Sequence, residues 1–177
     1  MGIDMKEVIA EAAVTLLFEK KVKKLTVKDI VEECHITRQA FYYHFEDIPE
    51  LLNWVLEKDM GKLLKECQAR ENMESSLSFF LSAAVALRPY VQRSVQSNYG
   101  EEIGRLLNEF TYRFFEQTME QAEMFKDYDL VERKLIMRYH CQAILGILRG
   151  WTQEDTQNID KIAHQICLLI KGEIHPY

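Results

Sequence analysis

Residues 25–45 read Leu25-Thr26-Val27-Lys28-Asp29-Ile30-Val31-Glu32-Glu33-Cys34-His35-Ile36-Thr37-Arg38-Gln39-Ala40-Phe41-Tyr42-Tyr43-His44-Phe45, and this stretch decides the fold. It spells two short helices separated by a tight turn. Thr26 is an N-cap residue type, and Asp29, three places on, lies where a carboxylate favours a helix N-terminus. Val27, Ile30 and Val31 recur at helical spacing as one apolar face, which leaves Lys28, Glu32 and Glu33 to solvent. Thr37 offers a second N-cap directly after Ile36, an apolar residue placed to pack between the helices. This is the layout of a helix-turn-helix, whose second helix enters the major groove of DNA.

The second helix carries the chemistry that such a role needs. Thr37, Arg38, Gln39, Tyr42, Tyr43 and His44 form the expected DNA-contact set, joined by Thr26 and Lys28 from the first helix. Arginine and glutamine bond base edges, and arginine is the commonest reader of guanine. Tyrosine and histidine reach phosphates and so fix register. Phe41 and Phe45 read as core. Just upstream, residues 20–28 hold Lys20, Lys21, Lys23, Lys24 and Lys28 and no acid. Such a run is usually a solvated face; beside a helix-turn-helix, Lys20, Lys21, Lys23 and Lys24 read as phosphate contacts.

Charge balance argues for selective binding. The 177-residue chain has a net charge of −6, which speaks against indiscriminate nucleic-acid binding. Residues 1–46 are not basic overall, so distribution matters more than the sum.

Working outward, the chain reads as all-α. It has only seven Gly and three Pro, and no convincing alternating β-run. A first helix is expected over Met5–Lys21, with Val8, Ala12, Leu16 and Leu17 inward. A fourth opens at Glu46–Glu50, with Pro49 in an early turn where its missing N–H costs little, and runs to Cys67. Met73–Leu87 is apolar nearly all round, as a central buried helix would be, and Pro89 should end or kink it. Further helices are expected over Glu101–Phe125 and Leu130–Trp151. The last carries Ile159, Ile162, Ala163, Ile166, Leu169 and Ile170 as a core-type stripe. The expected domains are 1–46, for DNA binding, and 47–177, for ligand binding and dimerisation.

The order of cap, apolar turn, polar trio, then Phe41-Tyr42-Tyr43-His44-Phe45 and an acidic Leu51-Leu52 helix resembles the DNA-binding domain of TetR-type bacterial transcription regulators. The likeness is dense from Val8 to Leu56. Arg38–Phe45 with Leu51-Leu52-Asn53-Trp54 is most similar to the subgroup that includes the activator of dihydroxyacetone kinase operons. Three positions depart from the family pattern. His35 stands where the turn usually has Gly, while Glu46 and Ile48 replace lysines that touch phosphates, so binding would lean on other basic residues.

The resemblance implies a C-terminal effector pocket and a dimer formed by the last two helices. The aromatic-rich segment 79–115 is where a pocket is expected, with Phe80, Phe110 and Phe114 as lining and Arg88, Tyr90, Arg113 and His140 as polar groups able to orient a ligand. An aromatic stripe on helices is more often plain core. Ile147, Trp151, Ile159, Ile166 and Ile170 exceed what one small domain needs to bury and are the expected dimer interface, with Gly146 and Gly150 permitting close helix approach.

Two functional readings follow. One is a ligand-responsive repressor binding a double-stranded operator as a homodimer, with half-sites about one helical turn apart. The other is a co-activator whose C-terminal domain docks a protein. No Gly-rich phosphate loop, nucleophile elbow or metal motif is present, which argues against an enzyme, and no cofactor is expected. Cys34, Cys67, Cys141 and Cys167 form no CxxC pair and read as reduced buried thiols. The alternative is a sensor built on His164 and Cys167, three apart on one helix. The N-terminus lacks the basic-then-apolar order of a signal peptide, so a cytoplasmic protein is expected.

Overall fold

The computed structural model describes residues 4–174, and every regular element among them is a helix. In chain order these are α1 (Met5–Val14), continued by a π-helical turn Thr15–Glu19, α2 (Val27–Glu33), α3 (Arg38–His44), α4 (Ile48–Gln68), α5 (Met73–Val95), α6 (Gly100–Gln121), α7 (Leu130–Arg149), the short α8 (Gln153–Gln157) and α9 (Ile159–Lys171). No helix among the described residues is long and apolar enough to cross a membrane.

The chain packs as two compact units. The first comprises the residues up to Asp59 with Arg88–Leu107, and the second Met60–Leu87 with the residues from Asn108 onward. The boundary expected after Glu46 does not coincide with this packing. Ile48, Leu51 and Leu52 of α4 and Ile103 of α6 are buried in the same core as Ile9, Leu25, Ile30, Phe41 and Phe45. A three-helix head offers too little apolar surface to close over such a core, so segments distant in sequence supply the rest.

Pro89 does not end its helix. α5 runs through it to Val95, although proline cannot donate to the carbonyl four residues back. Pro89 itself is exposed. The expectation of a helix buried all round also needs correcting. Ser76, Leu77, Phe80 and Leu81 are buried, whereas Ser82 and the 86–87 end face solvent. Downstream, Thr152 and Asp155 form a reciprocal cap that starts the short α8.

The second unit has an aromatic centre. Phe80 of α5 and Phe110, Phe114 and Phe115 of α6 are buried and in mutual ring contact. Met137, Cys141 and Ile144 of α7 and Ala163, Ile166, Cys167 and Ile170 of α9 are buried at helical spacing.

Candidate nucleic-acid interface

Local chemistry sets the motif before any packing does. The Thr26 hydroxyl accepts from the Asp29 amide at 3.2 Å, and the Asp29 carboxylate accepts from the Thr26 amide at 3.0 Å. This reciprocal box satisfies two backbone donors that the first turn of α2 would otherwise leave open. α2 ends at Cys34, and His35 takes a left-handed φ of 55°. A family glycine would adopt that conformation freely, whereas histidine does so at a modest cost. The Ile36 amide donates to the Val31 carbonyl at 3.0 Å, and the Thr37 hydroxyl then caps α3 by accepting from Ala40 at 3.1 Å.

α3 is two-faced. Phe41 and Phe45 are buried, with Phe45 edge-on to Trp54 of α4. Thr37, Arg38, Gln39, Tyr42 and Tyr43 are exposed, Tyr43 at 85%. His44 is half-buried and edge-on to Tyr43 at 5.0 Å. The structure thus gathers the expected base-reading groups on one short outward face, and seats that face on phenylalanines that cannot leave the core.

The lysine cluster divides by partner. Lys20 is ion-paired with Glu33, and Lys28 with Glu32 at 3.7 Å. Lys21, Lys23 and Lys24 are exposed. Of the two departures from the resembled pattern, only Ile48 has a structural reason. Glu46 is exposed and contributes its backbone amide, which donates to the Glu50 carboxylate as any residue but proline could, while the Glu50 amide donates to Asp47 at 2.8 Å. Ile48 is buried in the first core. A lysine at position 48 would place a charge in that core.

Sequence reasoning passed over the groups that hold the lysine loop. Asn98 and Arg93, from the end of α5 and the turn after it, hydrogen-bond to the backbone of residues 18–25. Ser97-Asn98-Tyr99-Gly100 carries the residue types of a helix break, and a turn signal does not say what the turn touches.

The expected ligand set is not assembled as one lining. Phe80 and Phe114 stack with centroids 4.1 Å apart, so their facing surfaces are covered by each other. Arg88 and Tyr90 fall in the first unit and Arg113 and His140 in the second. Tyr90 packs edge-on against Phe18 at 5.4 Å. Burial pushes the His140 imidazole below its ordinary pKa of 6.5. A cleft of about 380 Å³ lies elsewhere in the second unit, at the α6–α7 connection, lined by Tyr112, Met119, Met124, Phe125, Arg133 and Met137 among others.

The expected dimer residues also divide. Trp151, Ile166 and Ile170 are already buried within the single chain and Ile159 is half-buried, while Ile147 is 38% exposed. Most of the apolar stripe of α9 is buried in its own unit, although Leu169 is exposed. Further apolar surface is left open on α7, at Leu130, Val131, Leu135 and Tyr139.

His164 pairs with Glu74 at 2.9 Å on the surface, whereas Cys167 is buried with its thiol pushed up to about 11 by burial. The two do not converge on a common site. No group of three His, Cys, Asp or Glu residues able to hold a metal ion occurs among the described residues.

Residues 9–55 match the family model for bacterial regulatory proteins of the tetR family. Along nearly its whole length the chain is similar to the HTH-type dhaKLM operon transcriptional activator DhaS of Lactococcus lactis subsp. lactis (strain IL1403), 24% identical over 176 residues, which covers 98% of this chain and 92% of the relative. A probable acrEF/envCD operon repressor of Escherichia coli (strain K12) is 30% identical over 67 residues, 37% of this chain and 30% of its own. The solved structure of the dihydroxyacetone kinase operon activator DhaS shares the fold, with a TM-score of 0.64 at 22% identity over 98% of this chain and 97% of that one.

Proposed function

We propose that this chain is a TetR-type DNA-binding transcriptional regulator, a reading supported by the match of residues 9–55 and by the likeness to DhaS, and that it acts in the cytoplasm as a homodimer that reads a partly palindromic operator through α3. The observation that carries this reading is the outward face of α3, where Arg38, Gln39, Tyr42 and Tyr43 stand exposed above a buried Phe41 and Phe45. Arg38 and Gln39 bond base edges. Tyr42, Tyr43 and His44 set register on the phosphates, aided by Thr26, Thr37 and Lys28. Lys21, Lys23 and Lys24 supply the sequence-independent attraction.

The partner in the dimer is a second copy joined through α7. Val131, Leu135 and Tyr139 recur every four residues as an exposed apolar ridge, and Gly146 on the same helix has open space where a side chain would begin. Ridges of this kind pack into the grooves of a neighbouring helix.

Regulation works through a small effector in the second unit. The cleft at the α6–α7 connection has the volume of small-ligand sites, which run from about 300 Å³ upward, and its thioether and aromatic walls, set beside glutamates and basic residues, suit an amphipathic molecule with a polar or charged end. Effector binding then biases α4, and with it the separation of the two reading heads, in proportion to its differential affinity for the two states.

The sign of regulation divides two readings. Repression is the sense of the relative matched over the head alone. The relative matched along nearly the whole chain is named an activator, and that favours activation; the second reading is a co-activator whose second unit docks a further protein. Selection of bound fragments from random duplex DNA tests the function directly. A reporter carrying the selected operator then decides the sign. Failure to enrich any sequence would sink the operator reading.

A further inference from the structure

We propose that Asn98 is a positioning residue for DNA binding, holding the backbone of the lysine loop so that Lys23 and Lys24 are presented to phosphates in a fixed arrangement. The inference rests on the reading of those lysines as phosphate contacts.

Residues 21–26 join the π-helical turn to α2 without regular structure. A loop of this kind has no ladder of its own to fix it. Asn98 supplies one. Its side-chain oxygen accepts from the Leu25 amide at 2.9 Å, its side-chain nitrogen donates to the Leu25 carbonyl at 3.3 Å, and its own amide donates to the Lys23 carbonyl at 3.2 Å. One carboxamide thus serves both polar groups of Leu25, as a neighbouring strand would. The Leu25 side chain is buried in the first core. Lys23 and Lys24 are therefore pinned on the main chain while their ammonium groups remain in solvent.

The turn that presents Asn98 is itself rigid. The Ser97 hydroxyl donates to the Ser94 carbonyl at 2.6 Å and accepts from the Tyr99 amide at 3.2 Å. At Gly100 a Cβ would stand 2.0 Å from the Val95 carbonyl oxygen, so no side chain fits there. The other end of the connection is held as well, because Arg93 donates to the Phe18 carbonyl at 3.1 Å and Tyr90 packs edge-on to Phe18. A held loop has less freedom to lose when its lysines meet the duplex, and so binds more tightly for the same contacts.

The test uses the full chain and measures affinity against salt, on the selected operator and on random duplex, for wild type, Asn98→Ala, Lys23→Ala with Lys24→Ala, and all three together. The lysine pair should lower the log–log salt slope by about two. Asn98→Ala should weaken binding to both duplexes about 3- to 10-fold with base preference unchanged, and should add nothing once the lysines are gone. If it costs as much in the lysine-free background, Asn98 acts on the fold alone and the proposal is overturned. If the lysine pair leaves the slope unchanged, the phosphate reading fails and takes the proposal with it. If the lysines matter and Asn98→Ala binds like wild type, only the proposal fails. Hydrogen exchange at the Leu25 amide of the wild-type protein provides a check that needs no variant to fold. It should be slow, and exchange at the rate of exposed loop amides would overturn the latch.

Discussion

Phe80 and Phe114 lie ring on ring, their centroids 4.1 Å apart and their planes 12° from parallel. Both are buried, and Phe115 meets Phe114 edge-on at 5.1 Å. Dispersion between such rings and the exclusion of water from them hold α5 against α6. Phe114→Ala should therefore cost about 3–5 kcal/mol of stability, as cavities left by buried phenylalanines do. Urea unfolding reads this as a shift of midpoint. A ligand-lining aromatic would behave differently, with a small midpoint shift and a changed effector response.

DNA reading and motif stability should weigh differently at Arg38 and Thr26. Arg38 is exposed at the start of α3, so Arg38→Ala should leave the melting temperature unchanged. It should weaken operator binding by about 1–3 kcal/mol and relax one base position. Thr26→Ala removes a hydroxyl that caps α2, and should cost about 1 kcal/mol of stability. Titration of operator duplexes with single-base changes checks the first, and thermal unfolding the second. An Arg38→Ala protein with unaltered base preference would move the reading face elsewhere.

The lysines should not be equivalent. Lys20 is paired with Glu33, so it is neutralised locally and has less to gain from a phosphate. Lys20→Ala should lower the salt slope of DNA binding by well under the roughly 0.9 expected for a full contact. Glu33→Gln should raise the slope by freeing Lys20. Equal slope losses for Lys20→Ala and Lys23→Ala would show that the pair opens on binding.

How much of this was legible in the sequence depended on how local the cause was. The caps of α2 and α3 are set by Thr26, Asp29 and Thr37 within four residues of the groups they satisfy, and both helices begin where those residues say. Phe41 and Phe45 were readable for the same reason, being one turn apart on a short helix. The first core was not readable in full, because Ile103 and Tyr99 join it from some sixty residues downstream of α3, and no periodicity announces a partner at that distance. The stripe on α9 misled in a specific way. Ile166 and Ile170 look like surplus apolar surface when the helix is read alone, but the unit they belong to buries them. Of the stripe, Leu169 stays open, and the longer exposed ridge is at Val131, Leu135 and Tyr139, which is interrupted by charged Glu132, Arg133 and Lys134 and so shows a weaker pattern.

Acidification should loosen the second unit through His140. Burial holds its imidazole below the ordinary value of 6.5, so the unfolded chain takes up a proton at a pH where the folded chain does not. The unfolded state then binds more protons, and stability falls as pH drops below about 6.5 and on toward the folded value. Above that window the group contributes no pH dependence. Melting temperatures measured down a pH series should fall through this range, and His140→Gln should flatten the fall. An unchanged acid slope in the variant would assign it to other groups.

Dimerisation should respond to α7 and not to the buried stripe of α9. Ile166 is 6% exposed within one chain, so Ile166→Glu would bury an unpaired carboxylate and unfold the protomer whatever its oligomeric state. It cannot report on an interface. Leu135 and Tyr139 are 57% and 68% exposed, so a glutamate at either place meets only water in a lone chain. In a dimer joined through α7 the same charge lies in the centre of an apolar contact of roughly 2,000 Å² or more. Leu135→Glu should therefore sediment as a monomer while keeping its helical circular dichroism. Gly146 gives a second, independent reading. A side chain there meets nothing within 4 Å, so Gly146→Leu should leave the protomer intact and still weaken association by blocking close approach of a second helix. A Leu135→Glu protein that remains a dimer at micromolar concentration would remove α7 from the interface, and the two-headed reading of the operator would then need another surface to join its halves.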